Sequence, residues 1–155
     1  MQRCSNKGEY LVFDGEIVFE IADVENIEVN SEMEIEPTKV VRKGSVVALG
    51  RKAPKNRWIY GIKYDGEKEY LKSLEMMVNQ LCDKKEYINQ LVKQYEEVSI
   101  SIFVRSDFAG IDYSFPNYIV KKLSLLDCAV NFEVFSLKSS SGLEAYRLGN
   151  TVRSS

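Results

Sequence analysis

The sequence predicts an α+β domain: a mostly antiparallel sheet with two or three amphipathic helices packed on one face. Three observations lead there. Period-two alternation recurs, most cleanly where Val98, Ile100, Ile102 and Val104 alternate with Ser99, Ser101 and Phe103. Helical spacing follows from Leu71, Leu74, Val78 and Leu81, and again from Ile88, Leu91, Val92 and Tyr95. The elements come as strands, helix, helix, strand, helix, strand, which segregates strands from helices rather than building parallel units.

The elements follow in order. Residues 1–8 read as frayed. Tyr10 to Ile21 predicts a hairpin, with Asp14-Gly15 as a two-residue turn between Leu11/Phe13 and Ile17/Phe19/Ile21. Residues 23–36 read two ways. Ile27, Val29, Met33 and Ile35, with Ser31 completing the row, sit at odd positions and suggest a strand from about Asn26. A short helix starting near Asp23 would instead seat Val24 and Ile27 together, and the pattern favours extended structure. Glu36 to Tyr64 then organises the chain, holding Pro37, Pro54 and the single tryptophan. Thr38–Gly44 and Ser45–Leu49 read as short strands around a turn, and Gly50–Asn56 as a loop that Pro54 keeps out of any ladder. Trp58, Tyr60, Ile62 and Tyr64 share one strand face.

Asp65 is placed to cap the next helix, with Glu67 and Glu69 in a first turn that favours acids. Asp83 with Glu86 resembles a capping box for a second helix, although one long kinked helix fits the apolar row equally well. After the strand at 98–104, Ser106–Ser114 is a connection with one short strand at Ile111–Tyr113. Ser114 is a candidate N-cap, with Pro116 in the first turn of a helix whose inner row is Ile119, Leu123 and Leu126. Ala129–Phe135 is the last strand. Ser139-Ser140-Ser141-Gly142 closes the packed unit, giving one domain over residues 9–137 and a flexible tail over 138–155.

Composition narrows the chemistry. A chain of 155 residues buries roughly 70% of its unfolded surface, enough for one core without staples. A net charge of -2 is too close to zero to imply nucleic acid or a membrane surface as partner, so no membrane is expected and nucleic acid is not the favoured partner. No apolar run approaches the ~18 residues of a spanning helix, and MQRCSNKGEY lacks a signal-type stretch. A cytoplasmic location is expected. Cys4, Cys82 and Cys128 form no C-x-x-C pair, and the latter two read as small core residues. The absence of histidine removes the commonest general base, the Ser-His and Cys-His nucleophile pairs and most zinc sites. Carboxylates abound, but none stands alone in an apolar run where its pKa would rise. No catalytic residue, metal ligand or cofactor is assigned.

The charges are sorted. Residues 14–36 carry nine acids and no base: Asp14, Glu16, Glu20, Asp23, Glu25, Glu28, Glu32, Glu34 and Glu36. Residues 38–57 carry seven bases and no acid: Lys39, Arg42, Lys43, Arg51, Lys52, Lys55 and Arg57. On a strand, Glu28, Glu32, Glu34 and Glu36 would share one face, neighbours among the last three lying roughly 7 Å apart. Each such pair repels by about 0.6 kcal/mol in water. Either the basic block pairs with them across the sheet, for a few tenths of a kcal/mol per pair, or they form an acidic strip for a basic partner, where charge steers and discriminates more than it adds affinity. The basic loop Arg51–Arg57 has no groove-reading motif, and Gly44 and Gly50 are wrongly spaced for a phosphate-cradling loop. Trp58, Tyr60 and Tyr64 are either core beneath the helices or a platform for a small ligand.

Several segments stand in a familiar order: Phe19-Glu20-Ile21, Ile35-Glu36-Pro37-Thr38-Lys39, Lys43-Gly44, Trp58, the helix pair between Glu67 and Tyr95, the strand Ser99–Val104, and the final helix with Val130–Val134. Over about residues 16–137 this resembles a bacterial family known as domain of unknown function 4279. The resemblance implies the fold and carries no agreed activity. Its members usually place a helix just before the Pro-Thr-Lys segment, where this sequence reads as short and strand-like. Related small bacterial domains are often immunity proteins for secreted toxins, which is an analogy of fold rather than of site. The expectation is a non-catalytic protein-binding domain with one protein partner, a toxin in the immunity reading, contacted through Glu28, Glu32, Glu34 and Glu36. The alternative is a small-molecule-binding or enzymatic domain using Trp58, Tyr60 and Tyr64.

Overall fold

A computed structural model describes residues 13–107 and 114–136. Its centre is β1, Phe13–Asp23, flanked on both sides by long antiparallel partners. β2 (Lys39–Val41), β3 (Asn56–Asp65), β4 (Glu97–Ser106) and β5 (Ala129–Ser136) complete a sheet in the order β2-β3-β1-β4-β5. Three pairings are antiparallel, and β5 runs parallel to β4. That one parallel pairing follows from its connection, because a strand–helix–strand crossover returns the chain in the same direction. The helices are α1 (Glu67–Asp83), α2 (Lys85–Gln94) and α3 (Asn117–Leu123). The α+β class and the mostly antiparallel sheet agree with the sequence reading.

The expected hairpin at Tyr10–Ile21 does not form within the described residues, because Asp14-Gly15 lies inside β1 rather than at a turn. Gly15 pairs with Tyr64 on one side and Val104 on the other. A Cβ there would sit 1.9 Å from the Phe103 carbonyl oxygen and 2.5 Å from the Tyr64 hydroxyl. That hydroxyl donates to the same carbonyl at 2.7 Å. The glycine answers a need for close approach between strands, not for a turn.

Alternate residues of the sheet enter two cores. Ile17, Phe19 and Ile21 belong to the larger one, with Trp58, Tyr64, Ile100, Ile102 and Val104 from neighbouring strands and Leu74, Met77, Leu81, Ile88, Leu91 and Ile119 from the helices. The apolar rows read from the sequence are therefore the buried ones, with Leu71, Val92 and Leu123 packed at the margin. Val18, Val41, Ala53, Ile59 and Phe103 form the smaller core on the opposite side chains, with Val47 against it.

The helix ends differ from the expected caps. Gly66, not Asp65, is the N-cap of α1, and Glu69 Oε2 instead accepts from the Asp65 N–H at 2.8 Å. Lys84 separates α1 from α2, so the pair is two helices, and Asp83 is not the N-cap of the second. α3 begins after Pro116, which takes the cap position expected of Ser114. The expected strand at Ser45–Leu49 reduces to a single bridge, Val46 to Lys52, and a short 3-10 turn at Ala48–Gly50. The short strand expected at Ile111–Tyr113, the frayed start, the domain limits at 9 and 137, the tail and Cys4 lie outside the described residues.

Candidate functional site

Between β1 and β2 the chain forms a strap, residues 24–38, not the expected strand. Its alternation is real: Met33 is 1% exposed, and Ile27, Val29 and Ile35 pack against the larger core. Among the described residues, however, its backbone joins no strand ladder. The Tyr95 hydroxyl accepts from the Glu28 N–H at 2.8 Å and donates to the Glu28 carbonyl at 3.2 Å. The Tyr87 hydroxyl accepts from the Asn30 N–H at 3.0 Å. Side chains thus supply the bonds a ladder would have supplied. Asn30 then caps a 3-10 turn at Ser31–Met33 by accepting from the Glu32 N–H at 2.9 Å, and the turn ends on Glu34 with a φ of 54°. The turn occupies the place just before Pro-Thr-Lys where a helix was expected of the family.

Both ends of the strap are tied to the sheet. Asp23 accepts from the Glu25 N–H at 2.8 Å and from the Glu96 N–H at 2.9 Å. These two bonds hold its carboxyl below the usual range. Asn56 donates to the Glu25 carbonyl at 2.8 Å and accepts from the Lys43 N–H at 2.8 Å, joining the strap to the basic block. At the far end the Thr38 N–H bonds the Ile59 carbonyl at 2.8 Å, and the Thr38 hydroxyl accepts from the Gly61 N–H at 3.0 Å.

The four predicted acids Glu28, Glu32, Glu34 and Glu36 are all exposed, and Glu25 joins them. They do not form one straight row, because the 3-10 turn and the left-handed Glu34 redirect the chain. Nor does the basic block neutralise them. Among the described residues the one ion pair they make is Glu34 with Lys84 at 3.2 Å, Glu34 being 73% exposed. Exposed pairs of this kind are worth ~0–1 kcal/mol.

The basic block finds other acids. Arg57 grips Glu20 through two hydrogen bonds in a partly buried pair. Glu16 lies directly across from Lys63 in the register of β1 and β3. Burial raises the Glu16 pKa, opposed by Lys63 and Lys39. Gly61 makes room for that carboxylate: a Cβ there would be 2.1 Å from its Oε1. Lys55 bonds Glu96 at 2.8 Å and Glu97 at 3.0 Å, outside the acidic block altogether. Cross-sheet neutralisation therefore serves Glu16 and Glu20 and leaves the strap acidic.

Trp58 and Tyr64 are 7% and 3% exposed, inside the larger core. Trp58 meets Phe19 edge-on at 6.1 Å, and Tyr64 meets Tyr70 at 5.3 Å. Tyr60 is half-buried, with its hydroxyl donating to Gln80 of α1 at 2.7 Å. This stripe is core beneath α1, not an open platform. Pro37 adjoins the Thr38 anchor. Gly44 has a φ of 85°, so both it and Trp58 behave as fold determinants. Cys82 and Cys128 are half-buried beside the core, and burial raises both thiols, Cys128 to about 11.

Beside the strap, a groove of about 340 Å³ opens at the junction of α1 and α2. Glu32, Asp83, Lys84, Lys85 and Glu86 line it, so its charge is mixed. Sequence reasoning missed this groove and the anchors Tyr87, Tyr95, Asn30 and Asn56. No local signal could reveal Tyr95, which lies 67 positions from the backbone it holds. Among the described residues no group of three or more His, Cys, Asp or Glu could hold a metal ion, and no helix is long and apolar enough to cross a membrane.

The model of a family described as Domain of unknown function (DUF4279) matches residues 10–136. The chain belongs to this family. No curated protein and no solved structure matches the chain significantly. The residues that carry the resemblance have structural roles here: Phe19 and Trp58 touch in the core, Glu20 pairs with Arg57, and Thr38 pins the end of the strap to β3.

Proposed function

We propose that this protein is a non-catalytic protein-binding domain of the bacterial cytoplasm, an immunity protein that neutralises a cognate toxin by presenting its acidic strap to a basic surface. One observation carries the reading. Glu25, Glu28, Glu32, Glu34 and Glu36 are exposed on a backbone held by Tyr87, Tyr95 and the buried Met33. A charged surface whose shape is set before binding loses less freedom on association, and an acidic one speeds encounter with a basic partner. The reading takes α1, α2 and α3 to cover one face of the sheet, supported by the core they share with Ile17, Phe19 and Ile21. The small-molecule alternative loses support because Trp58 and Tyr64 are buried.

Co-expression with the products of neighbouring genes tests this. The expected result is a stoichiometric complex with a basic protein, and protection of cells from that protein. Glu28→Lys, Glu32→Lys and Glu36→Lys together should slow association ~10-fold or more at low salt. Failure to recover any partner, or an association rate indifferent to the triple reversal, would refute the proposal.

A further inference from the structure

The basic block holds four cations that the fold leaves unused. Lys55 and Arg57 find acids. Arg42, Lys43, Arg51 and Lys52 are exposed, and among the described residues none of the four makes an ion pair. They stand on the two arms of a small hairpin, residues 42–53, between β2 and β3. The arms are joined by the Val46–Lys52 bridge, by the Gly44 N–H donating to the Ala53 carbonyl at 2.8 Å and by the Val47 N–H donating to the Arg51 carbonyl at 2.7 Å. Its base is fixed where Ala53, 4% exposed, and Val47 enter the smaller core. The hairpin therefore has a set shape before anything binds it.

Its turn is apolar and strained. Val46 and Leu49 are 71% and 77% exposed, the two most exposed large hydrophobic side chains among the described residues. Leu49 has a φ of 61°, a left-handed conformation that suits glycine or asparagine and disfavours leucine. No burial of the leucine side chain offsets that strain, so nothing within the fold accounts for leucine at this position. Strain held at an exposed site points to a task outside the fold.

Three kinds of anionic partner fit a basic surface, and the chemistry of the turn separates them. Single-stranded nucleic acid calls for aromatic side chains to stack on its bases, and residues 42–53 contain none. A protein interface engages roughly 20–30 residues a side and draws on Trp, Tyr and Arg, with Leu and Val under-represented. A hairpin tipped with leucine and valine is too small and of the wrong kind. An anionic lipid surface calls for cations beside the phosphates and aliphatic side chains leading them, which is the order along this hairpin.

We propose that the hairpin docks the protein on an anionic phospholipid surface, with Leu49 and Val46 entering between the headgroups and the four cations meeting the phosphates. Net charge hides this. At physiological salt a charge is felt over about 8 Å, so the sign of the hairpin governs its approach, not the -2 of the whole chain. Each cation at such a surface strengthens binding about fivefold, which makes the association peripheral and reversible. The acids of the strap take no part, so the proposal stands apart from the toxin-binding reading.

Flotation of the full chain with vesicles of phosphatidylglycerol and phosphatidylcholine in equal parts, against phosphatidylcholine alone, tests it. The expected result is binding to the mixed vesicles only, weakened by salt. Arg51→Glu with Lys52→Glu should weaken it ~25-fold or more. Leu49→Asn should weaken it ~10-fold. The same variant should raise the melting temperature by ~2–4 °C, because it relieves the left-handed strain; a leucine kept for folding would lower it on removal. Amide exchange of the wild-type chain keeps the test decisive should a variant misfold: mixed vesicles should slow the amides of residues 46–52 and leave those of the strap unchanged. No flotation, equal flotation with phosphatidylcholine alone, binding indifferent to these variants, or unchanged exchange at 46–52 overturns the proposal. Tighter binding to single-stranded DNA or to polyglutamate at equal charge concentration overturns it too, because the hairpin would then serve a nucleic acid or an acidic protein.

Discussion

Replacing Tyr95 by phenylalanine isolates what holds the strap. The ring is 8% exposed, and phenylalanine keeps its packing. What is lost is one hydroxyl that both accepts from the Glu28 N–H at 2.8 Å and donates to the Glu28 carbonyl at 3.2 Å. Each such bond contributes ~0.5–1.5 kcal/mol net. Two would give at most ~3 kcal/mol, but Glu28 is exposed and water can replace part of the loss. The expectation is a stability loss of ~1–2 kcal/mol in urea unfolding, with the slope of the transition unchanged. Locally, the Glu28 amide should exchange ~10-fold faster, the equivalent of about 1.4 kcal/mol. Tyr87→Phe, which removes a single bond to the Asn30 N–H, should cost about half as much. If Tyr95→Phe leaves both stability and Glu28 exchange unchanged, the strap is held by its apolar side chains alone and tyrosine anchoring is refuted.

Two further outcomes are expected. Gly15→Ala should destabilise by ~3–5 kcal/mol in the same unfolding assay, because its Cβ meets the Phe103 carbonyl at 1.9 Å and displaces the buried Tyr64 hydroxyl bond; a loss of only ~1–2 kcal/mol would instead fit a glycine kept for a left-handed turn. Glu16→Gln should stabilise the protein at pH 7, because burial raises the Glu16 pKa above its ordinary 4.5 and so penalises its charged form in the folded state. Wild-type stability from this group falls as pH rises from about 4.5 through the raised folded value, so the advantage of glutamine should vanish below about pH 4.5; an advantage that persisted there would contradict the assignment.

What could be read in advance was which side of each element faces inward. Ile27, Val29, Met33 and Ile35 do pack inward from alternate positions, and Trp58 and Tyr64 are core. The kind of element was less legible, because a strand requires a neighbouring backbone and alternation says nothing about whether one is there. Around the strap the neighbours are tyrosine hydroxyls from α2 and its C-terminal end. Asp14-Gly15 misled for a related reason. A two-residue turn signal describes local freedom, whereas the demand on Gly15 comes from Phe103, a residue 88 positions later on another strand. The charge blocks were plain in the sequence, but their pairing depended on register. Glu16 and Glu20 face Lys63 and Arg57 only because β1 and β3 align as they do. Lys55 sits where β4 starts and so meets Glu96 and Glu97.

The irregular strap suits an acidic surface better than the strand it replaces. On a strand, neighbouring glutamates two apart would stand in line and repel by about 0.6 kcal/mol per pair. Here the 3-10 turn at Ser31–Met33 and the left-handed Glu34 interrupt the regular two-residue alternation that would align them. The left-handed residue costs ~1–2 kcal/mol, and the Lys84 bridge at 3.2 Å is too exposed to offset more than part of it. Burial of Met33 contributes ~1.5–3 kcal/mol and outweighs the bridge. An apolar anchor therefore fixes the shape of a surface made of charge. In the proposed binding role, salt should slow association by screening the carboxylates, yet leave the strap in place, since neither Met33 nor the tyrosine hydroxyls depend on net charge.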